Sequence, residues 1–536
     1  MSFDRGGHSG TGFSGTNDDG ATLWRCRESG RDAQGRIGRC NGGIEQASEE
    51  LPGIVDHMPL FRLTCQLPVK FISIIAEKKS GDSSGKDVNR SSNRSRVFHR
   101  SLSASYLAAD SGSGCYIRDA GGKLYLDASG GAAVSCLGHG HERVIAAIKR
   151  QLDRLQFAHT SFFTSEAAEE LAERLSATAP GGPWRVFFVS GGSEATEAAL
   201  KLARQIAVER GEASRDHFIS RWFSYHGNSI GALSVSGNKG RRALYDPILT
   251  PNVRLIEPCF AYRHQKSDES LADYGLRTAG ALDRSMAELG EKRALAFIAE
   301  TVVGATLGAV AAAPGYFREI RRICDRHGAI LILDEVMCGM GRCGSLHAFE
   351  QEGVVPDMIT LAKGLGGGYQ PIGALMVREP LAEELERGSG AFQHGHTYVG
   401  HMVAAAAALE VQKVIADEGL VARVSTKGQE LMQVLRRRFA DHPHIGDIRG
   451  RGLFIALELV ADRASKAPFP AARRLWAKIK AAGMEEGLIC YPMGGVADGI
   501  NGDHVLIAPP YIITDGEMDE LVRKLGRSIE RGLAEG

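Results

Sequence analysis

Short apolar runs alternate with helix-spaced segments from about Thr164 onward. Arg185–Val189, Ala294–Ala299, Ala329–Leu333, Met358–Leu361 and Gly373–Val377 read as strands. Ser193–Arg210 reads as a helix, with Ala195, Ala198, Ala199, Leu202 and Ile206 on one stripe. Continuous apolar strands separated by helices predict an α/β fold whose central sheet is mostly parallel and buried on both faces. Upstream, Cys115–Asp127 alternates around Gly121-Gly122 and predicts a hairpin. His141–Leu155 is amphipathic, with Val144, Ile145, Ile148, Leu152 and Leu155 at helical spacing. Beyond His401 come long helices, strands at Leu453–Leu459 and His504–Ile507, and a last helix at Asp515–Arg531, which read as a smaller α+β domain.

Residues 1–95 lack such periodicity. They are rich in Gly, Ser, Arg and Asp, and only Leu60–Ala76 is apolar enough for a strand or short helix. A disordered extension is expected there. Asp4, Asp18 and Asp19 fit an organellar presequence poorly. The expected organisation is an extension over 1–95, a segment over 96–160 that joins the small domain, a large domain over 161–400 and the small domain over 401–536.

Charge narrows the functional classes. The 536 residues carry 64 Lys+Arg and 64 Asp+Glu, so bulk charge offers no footing for nucleic acid or a membrane surface. The most apolar stretch, Thr301–Pro314, falls short of the ~20 residues a span needs. Ten cysteines are scattered without a CxxC or zinc spacing, which predicts reduced thiols, no metal and a cytoplasmic protein. The 66 glycines against 18 prolines suit tight turns and close backbone approach to a ligand.

The chemistry sits where the apolar strands stop. Glu300 follows Ala299, Asp334 follows Leu333, and Lys363 follows Leu361-Ala362. Ser190-Gly-Gly-Ser193 follows Val189 and opens a helix. A glycine turn into a helix N-terminus is a phosphate cradle, or simply a tight turn capped by Ser193. A Lys at the edge of a buried sheet has a lowered pKa and can form a Schiff base. A carboxylate ending an apolar strand needs a partner: a cap, a salt bridge or a ligand cation such as a protonated ring nitrogen. Neither a Walker A loop nor a GxGxxG fingerprint is present, which disfavours a nicotinamide oxidoreductase. Together, cradle, amine and buried carboxylate describe a pyridoxal phosphate site.

From about Tyr106 to the C-terminus the chain resembles the class III aminotransferases, pyridoxal phosphate enzymes of fold type I. The resemblance rests on Ser190–Arg204 (SGGSEATEAALKLAR), Tyr225-His226-Gly227, Ile332–Gly344 (ILDEVMCGMGRCG), Met358–Ala374 (MITLAKGLGGGYQPIGA) and His394–His401 (HGHTYVGH), in that order and spacing. It implies that Lys363 is the Schiff-base lysine and proton shuttle. It implies that Asp334 holds the pyridine nitrogen protonated, that Tyr225 and Val336 cover the two ring faces, and that Gly192 and Ser193 bind phosphate. His226 and Glu300 are expected beside the cofactor or substrate. Thr397 is expected to reach the phosphate of a neighbouring subunit, so a homodimer or dimer of dimers is implied. His394, His396 and His401 are expected to be loop packing around Thr397.

One departure stands out. Many family members carry an arginine near the last strand that grips a substrate carboxylate, and here Leu506 is at the expected place. Arg449 and Arg451 are the nearest candidates, in a motif that is usually structural. Phe162 and Phe163 are expected in the core rather than in the pocket. The resemblance implies transfer of an amino group from an amine or ω-amino acid to a 2-oxo acid such as pyruvate or 2-oxoglutarate. A decarboxylating transaminase or aminomutase on the same fold is the alternative, and a catalytically inactive binding module is a further one.

Overall fold

The structure is a computed structural model and describes residues 95–535. The expectations for residues 1–94, including Leu60–Ala76, lie outside the described residues.

A seven-stranded sheet forms the centre. Its strands in chain order are β1 (Trp184–Val189), β2 (His217–Arg221), β3 (Val253–Ile256), β4 (Ala294–Glu300), β5 (Ile330–Asp334), β6 (Met358–Leu361) and β7 (Gly373–Arg378). Their spatial order is β1-β7-β6-β5-β4-β2-β3. All run parallel except β7, which is antiparallel to both β6 and β1. β7 was expected beside the other strands, but its apolar run carries no sign of direction. The short link from Lys363 to Gly373 holds no crossover helix, so the chain folds straight back.

Strands β4, β5 and β6 are buried at every residue. That is why they read as unbroken apolar runs rather than as alternation. One apolar cluster covers one face with Leu331, Leu333, Phe297 and Ile320. Another covers the opposite face with Ile330, Ile332, Ile298 and the small residues Ala198, Ala199 and Ala203. The alanines let the helix Gly192–Glu209 lie close to the sheet.

The N-terminal segment contributes the expected hairpin, Tyr116–Asp119 with Leu124–Asp127, and an unforeseen edge strand, Ala109–Ser113. The hairpin pairs in parallel with Leu488–Ile489, so the two ends of the described chain share one sheet. The amphipathic helix spans Glu142–Arg154. Beyond residue 401, strands Ile445–Arg451, Phe454–Leu459, Tyr491–Gly494 and Asp503–Ile507 form an antiparallel sheet covered by helices Leu420–Arg438 and Leu475–Glu486, and the last helix, Asp515–Ala534, packs on the second of these. Among the described residues, no helix is long and apolar enough to cross a membrane. The seven described cysteines are all free and buried.

Candidate active site

Register carries the expected carboxylates together. Asp334 is paired with Glu300 on one side and with Thr360 on the other, at the carboxyl edge of the sheet. β6 ends just before Lys363, and β1 ends at the glycine turn. As a result Gly192, Ser193, Tyr225, His226, Glu300, Asp334, Val336 and Lys363 all line one cavity of about 150 Å³, joined by Gly227, Met337 and Ala362.

Asp334 is 3% exposed. Its Oδ2 lies 2.7 Å from His226 Nδ1, and its Oδ1 accepts the Val336 N–H at 3.0 Å. His226 is held in turn. Its N–H donates to Ser236 Oγ at 2.8 Å, its carbonyl accepts from Thr196 Oγ1 at 2.8 Å, and its Nε2 lies 3.3 Å from Ser220 Oγ. The buried carboxylate is therefore held in a fixed place, with an imidazole to satisfy it.

Lys363 has φ of 46°, in the left-handed region, which costs an L-residue about 1–2 kcal/mol. The turn exists because the chain must leave β6 and form the single turn Lys363–Leu365. The Lys363 carbonyl then accepts the N–H groups of Gly366 and Gly367 at 3.1 and 2.9 Å. Burial lowers the Lys363 pKa from its usual 10.5, while the charges of Asp334 and Glu300 oppose that shift. That direction favours the neutral form of the amine, which is the nucleophile and the proton acceptor.

Glu300 acts on Tyr225. Its Oε2 accepts the Tyr225 N–H at 3.0 Å and its Oε1 accepts the Gly304 N–H at 2.9 Å. Burial pushes its carboxyl up. The glycine turn opens the helix Gly192–Glu209, whose free N–H groups and dipole face the cavity. A Cβ on Gly192 would stand 2.9 Å from Val336 Cγ1, and one on Gly227 2.7 Å from Ser193 Oγ. Only glycine keeps this cradle open. Ser193 Oγ accepts the Asn228 N–H at 3.0 Å, so its own O–H remains to donate.

Thr397 lies elsewhere within one chain. It lines a separate groove with His394, His396, Ser190 and Glu194, on the outer side of the glycine turn. Phe162 and Phe163 are 79% and 63% exposed, so the core packing expected of them is not observed. Among the described residues, no apolar layer covers the loop that carries them. Leu506 is buried in an apolar cluster with Met337 and Phe454 and faces away from solvent. Arg449 donates to the carbonyls of Gly308 (2.7 Å) and Leu307 and pairs with Asp447 and Glu458 at 2.9 and 2.7 Å. Arg451 pairs with Glu352 at 2.6 Å. Both arginines are structural, as their motif suggested.

Sequence reasoning passed over Glu335. Fully buried, it accepts from Thr301 Oγ1 (2.5 Å) and from the N–H groups of Ala348 (2.6 Å) and Phe349 (3.0 Å). It ties the segment after Asp334 to the short helix Ala348–Glu352. The signal was a second acid directly after the strand, where a single one already answered for the chemistry. Arg221, at the end of β2, is likewise buried and donates to the Glu300 carbonyl at 2.5 Å.

These residues fit a flat, anionic ligand with a carbonyl. A helix N-terminus stands at one end, an aromatic ring and a valine form the walls, and an amine and a carboxylate stand within. A family model described as aminotransferase class-III matches residues 98–529. An aminotransferase of Gibberella zeae is 43% identical over 412 residues, covering 76% of this chain and 81% of that protein. An uncharacterised aminotransferase of Schizosaccharomyces pombe is 42% identical and covers 78% of this chain and 92% of its own. The crystal structure of the omega transaminase from Pseudomonas jessenii in complex with PMP superposes with a TM-score of 0.75 at 33% identity. It covers 80% of this chain and 93% of that one.

Proposed function

Since the chain belongs to the class III aminotransferase family, we propose that it moves an amino group from an amine or ω-amino acid to a 2-oxo acid, using pyridoxal 5'-phosphate held by Lys363. When bound, that cofactor supplies an electron-accepting ring for the substrate carbon under attack. The chain supplies the rest. The N–H groups at Gly192 and Ser193, with the Ser193 hydroxyl, receive the phosphate. Asp334 presents a fixed negative charge to the ring nitrogen and keeps it protonated, which favours negative charge developing on the carbon side. Tyr225 and Val336 confine the ring between them. Lys363 Nζ would hold the proton taken from the amine-bearing carbon of the substrate. Thr397 and its groove contribute from a second copy, which makes the working unit at least a homodimer.

The observation that carries this reading is the meeting of Lys363, Asp334 and the Gly192–Ser193 turn in one cavity, from three strand ends far apart in sequence. The test has two arms. Borohydride reduction of the cofactor-loaded protein should leave a stable tag on the peptide containing Lys363. A screen of amines against pyruvate and 2-oxoglutarate should give turnover that Lys363→Ala abolishes. A tag on another residue, or normal turnover by that variant, refutes the assignment.

A further inference from the structure

Three cations follow one another in the run Asn238-Lys239-Gly240-Arg241-Arg242, and they have different fates. The Lys239 amine donates to the Asp498 carbonyl at 2.9 Å and sits over the rings of Trp222 and Phe223. Arg242 Nη1 donates to the carbonyls of Leu233, Ser234 and Ser236 at 3.2, 2.7 and 2.8 Å, and its Nε pairs with Asp246 at 3.3 Å. Both are committed, Lys239 to a carbonyl remote in sequence and Arg242 to the carbonyls just before it.

Arg241 is not. Its backbone N–H is fixed by Asn238 Oδ1 at 2.9 Å. Its guanidinium carbon lies 4.6 Å from the centre of the Tyr225 ring, a wall of the cavity. Among the described residues, no carboxylate pairs with it. Its charge reaches the cavity: after burial, it is the cation that helps to lower the Lys363 pKa.

Stacking on a ring uses the face of a guanidinium. The N–H donors lie in its plane and stay free, in the fork geometry that matches a carboxylate. Arg241 stands behind the lining, over Tyr225; within the cavity Asp334 and Glu300 repel an incoming carboxylate, while Lys363 and the Gly192–Ser193 turn are taken up by the cofactor in the reading above. Arg449 and Arg451 are bound to protein acids. A site that accepts a 2-oxo acid needs one available cation at its mouth.

We propose that Arg241, stacked on Tyr225, is the residue that recognises the carboxylate of the 2-oxo acid acceptor. This rests on the transamination reading above and adds the group that selects its second substrate. The stack fixes the position of the fork, and the pinned loop keeps it from collapsing onto a protein acid.

The test uses the holoenzyme. Calorimetry with the inert carboxylates propionate and succinate reads binding without turnover. Arg241→Ala should weaken binding by roughly 10- to 100-fold, the loss expected for a charged hydrogen-bonded contact. Arg241→Lys should recover part of it, because it restores charge without the fork. The KM for pyruvate should rise by a similar factor, and that for a carboxylate-free monoamine by a much smaller one. Equal losses for amine and oxo acid would mean that Arg241 only props Tyr225, and would overturn the proposal. So would carboxylate affinity that is unaltered in Arg241→Ala, or absent in the unsubstituted enzyme. If no amine and oxo acid pair turns over, the transamination reading fails, while the calorimetry still decides the role of Arg241.

Discussion

Replacing Glu300 with glutamine changes one atom and should uncouple the cavity wall from the sheet. The carboxylate accepts two backbone N–H groups on two different oxygens, from Tyr225 at 3.0 Å and from Gly304 at 2.9 Å. Glutamine keeps one acceptor oxygen and offers an NH2 at the other position. Whichever way the amide turns, one bond is lost and one buried N–H faces another donor. A buried donor left unsatisfied costs about 1–3 kcal/mol. Urea unfolding of the apo chain reads the whole loss as a lower midpoint. Titration of the apo chain with pyridoxal phosphate reads the share that falls on Tyr225, as much as roughly 5- to 150-fold in Kd. Glu300→Ala removes both bonds and leaves a void, so it should be worse in both assays. The pH dependence should change as well. Burial raises the Glu300 carboxyl above its usual 4.5. The native state therefore holds this proton more tightly than the unfolded chain. The group's contribution to stability is complete below 4.5 and declines as pH rises through the raised value. Glutamine should remove that decline. A Glu300→Gln chain with the midpoint, pH slope and cofactor affinity of the unsubstituted protein would refute the reasoning.

Asp334→Asn keeps the shape beside His226 and removes the charge. Turnover should fall by roughly 10²-fold or more while the chain stays folded by circular dichroism, because only the electrostatic support of the ring is lost. Arg449→Ala strips a partner from Glu458, which is 0% exposed, and the donors from two carbonyls. Arg263 still pairs with Glu458, so the loss should be about 1–3 kcal/mol in urea unfolding, without a selective rise in the KM of the oxo acid. Burial pushes the Glu335 carboxyl up to about 7 against its three donors. Its contribution to stability is complete below pH 4.5 and is lost as pH rises towards about 7. Glu335→Gln should flatten the urea midpoint across that window, and an unaltered slope would place the proton elsewhere.

Much of the site could be read along the chain because its signals are local. An apolar run that stops at an acid or a lysine shows in a few residues, and so does a glycine turn that opens a helix. Lys363, Asp334, Glu300 and the Gly192–Ser193 turn were found this way, and the class III resemblance gave them roles. The same locality explains what was missed. β2 is broken by His217, Ser220 and Arg221, and β3 is only four residues long and broken by Arg254, so neither showed the unbroken apolar run of a buried strand.

Periodicity and chemical type along the chain set which segments become strands and which polar groups stand at their ends. Partnership is a different kind of fact. That Asp334 lies beside Glu300 comes from strand register, and that His226 satisfies Asp334 comes from a contact 108 residues apart. The reversal of β7, the commitment of Arg449 to Glu458 and the stacking of Arg241 on Tyr225 belong with them. Each joins groups remote in sequence whose side chains look the same whether paired or free. Only packing of the whole chain settles which charges neutralise one another and which one is left over the Tyr225 ring without a described carboxylate partner.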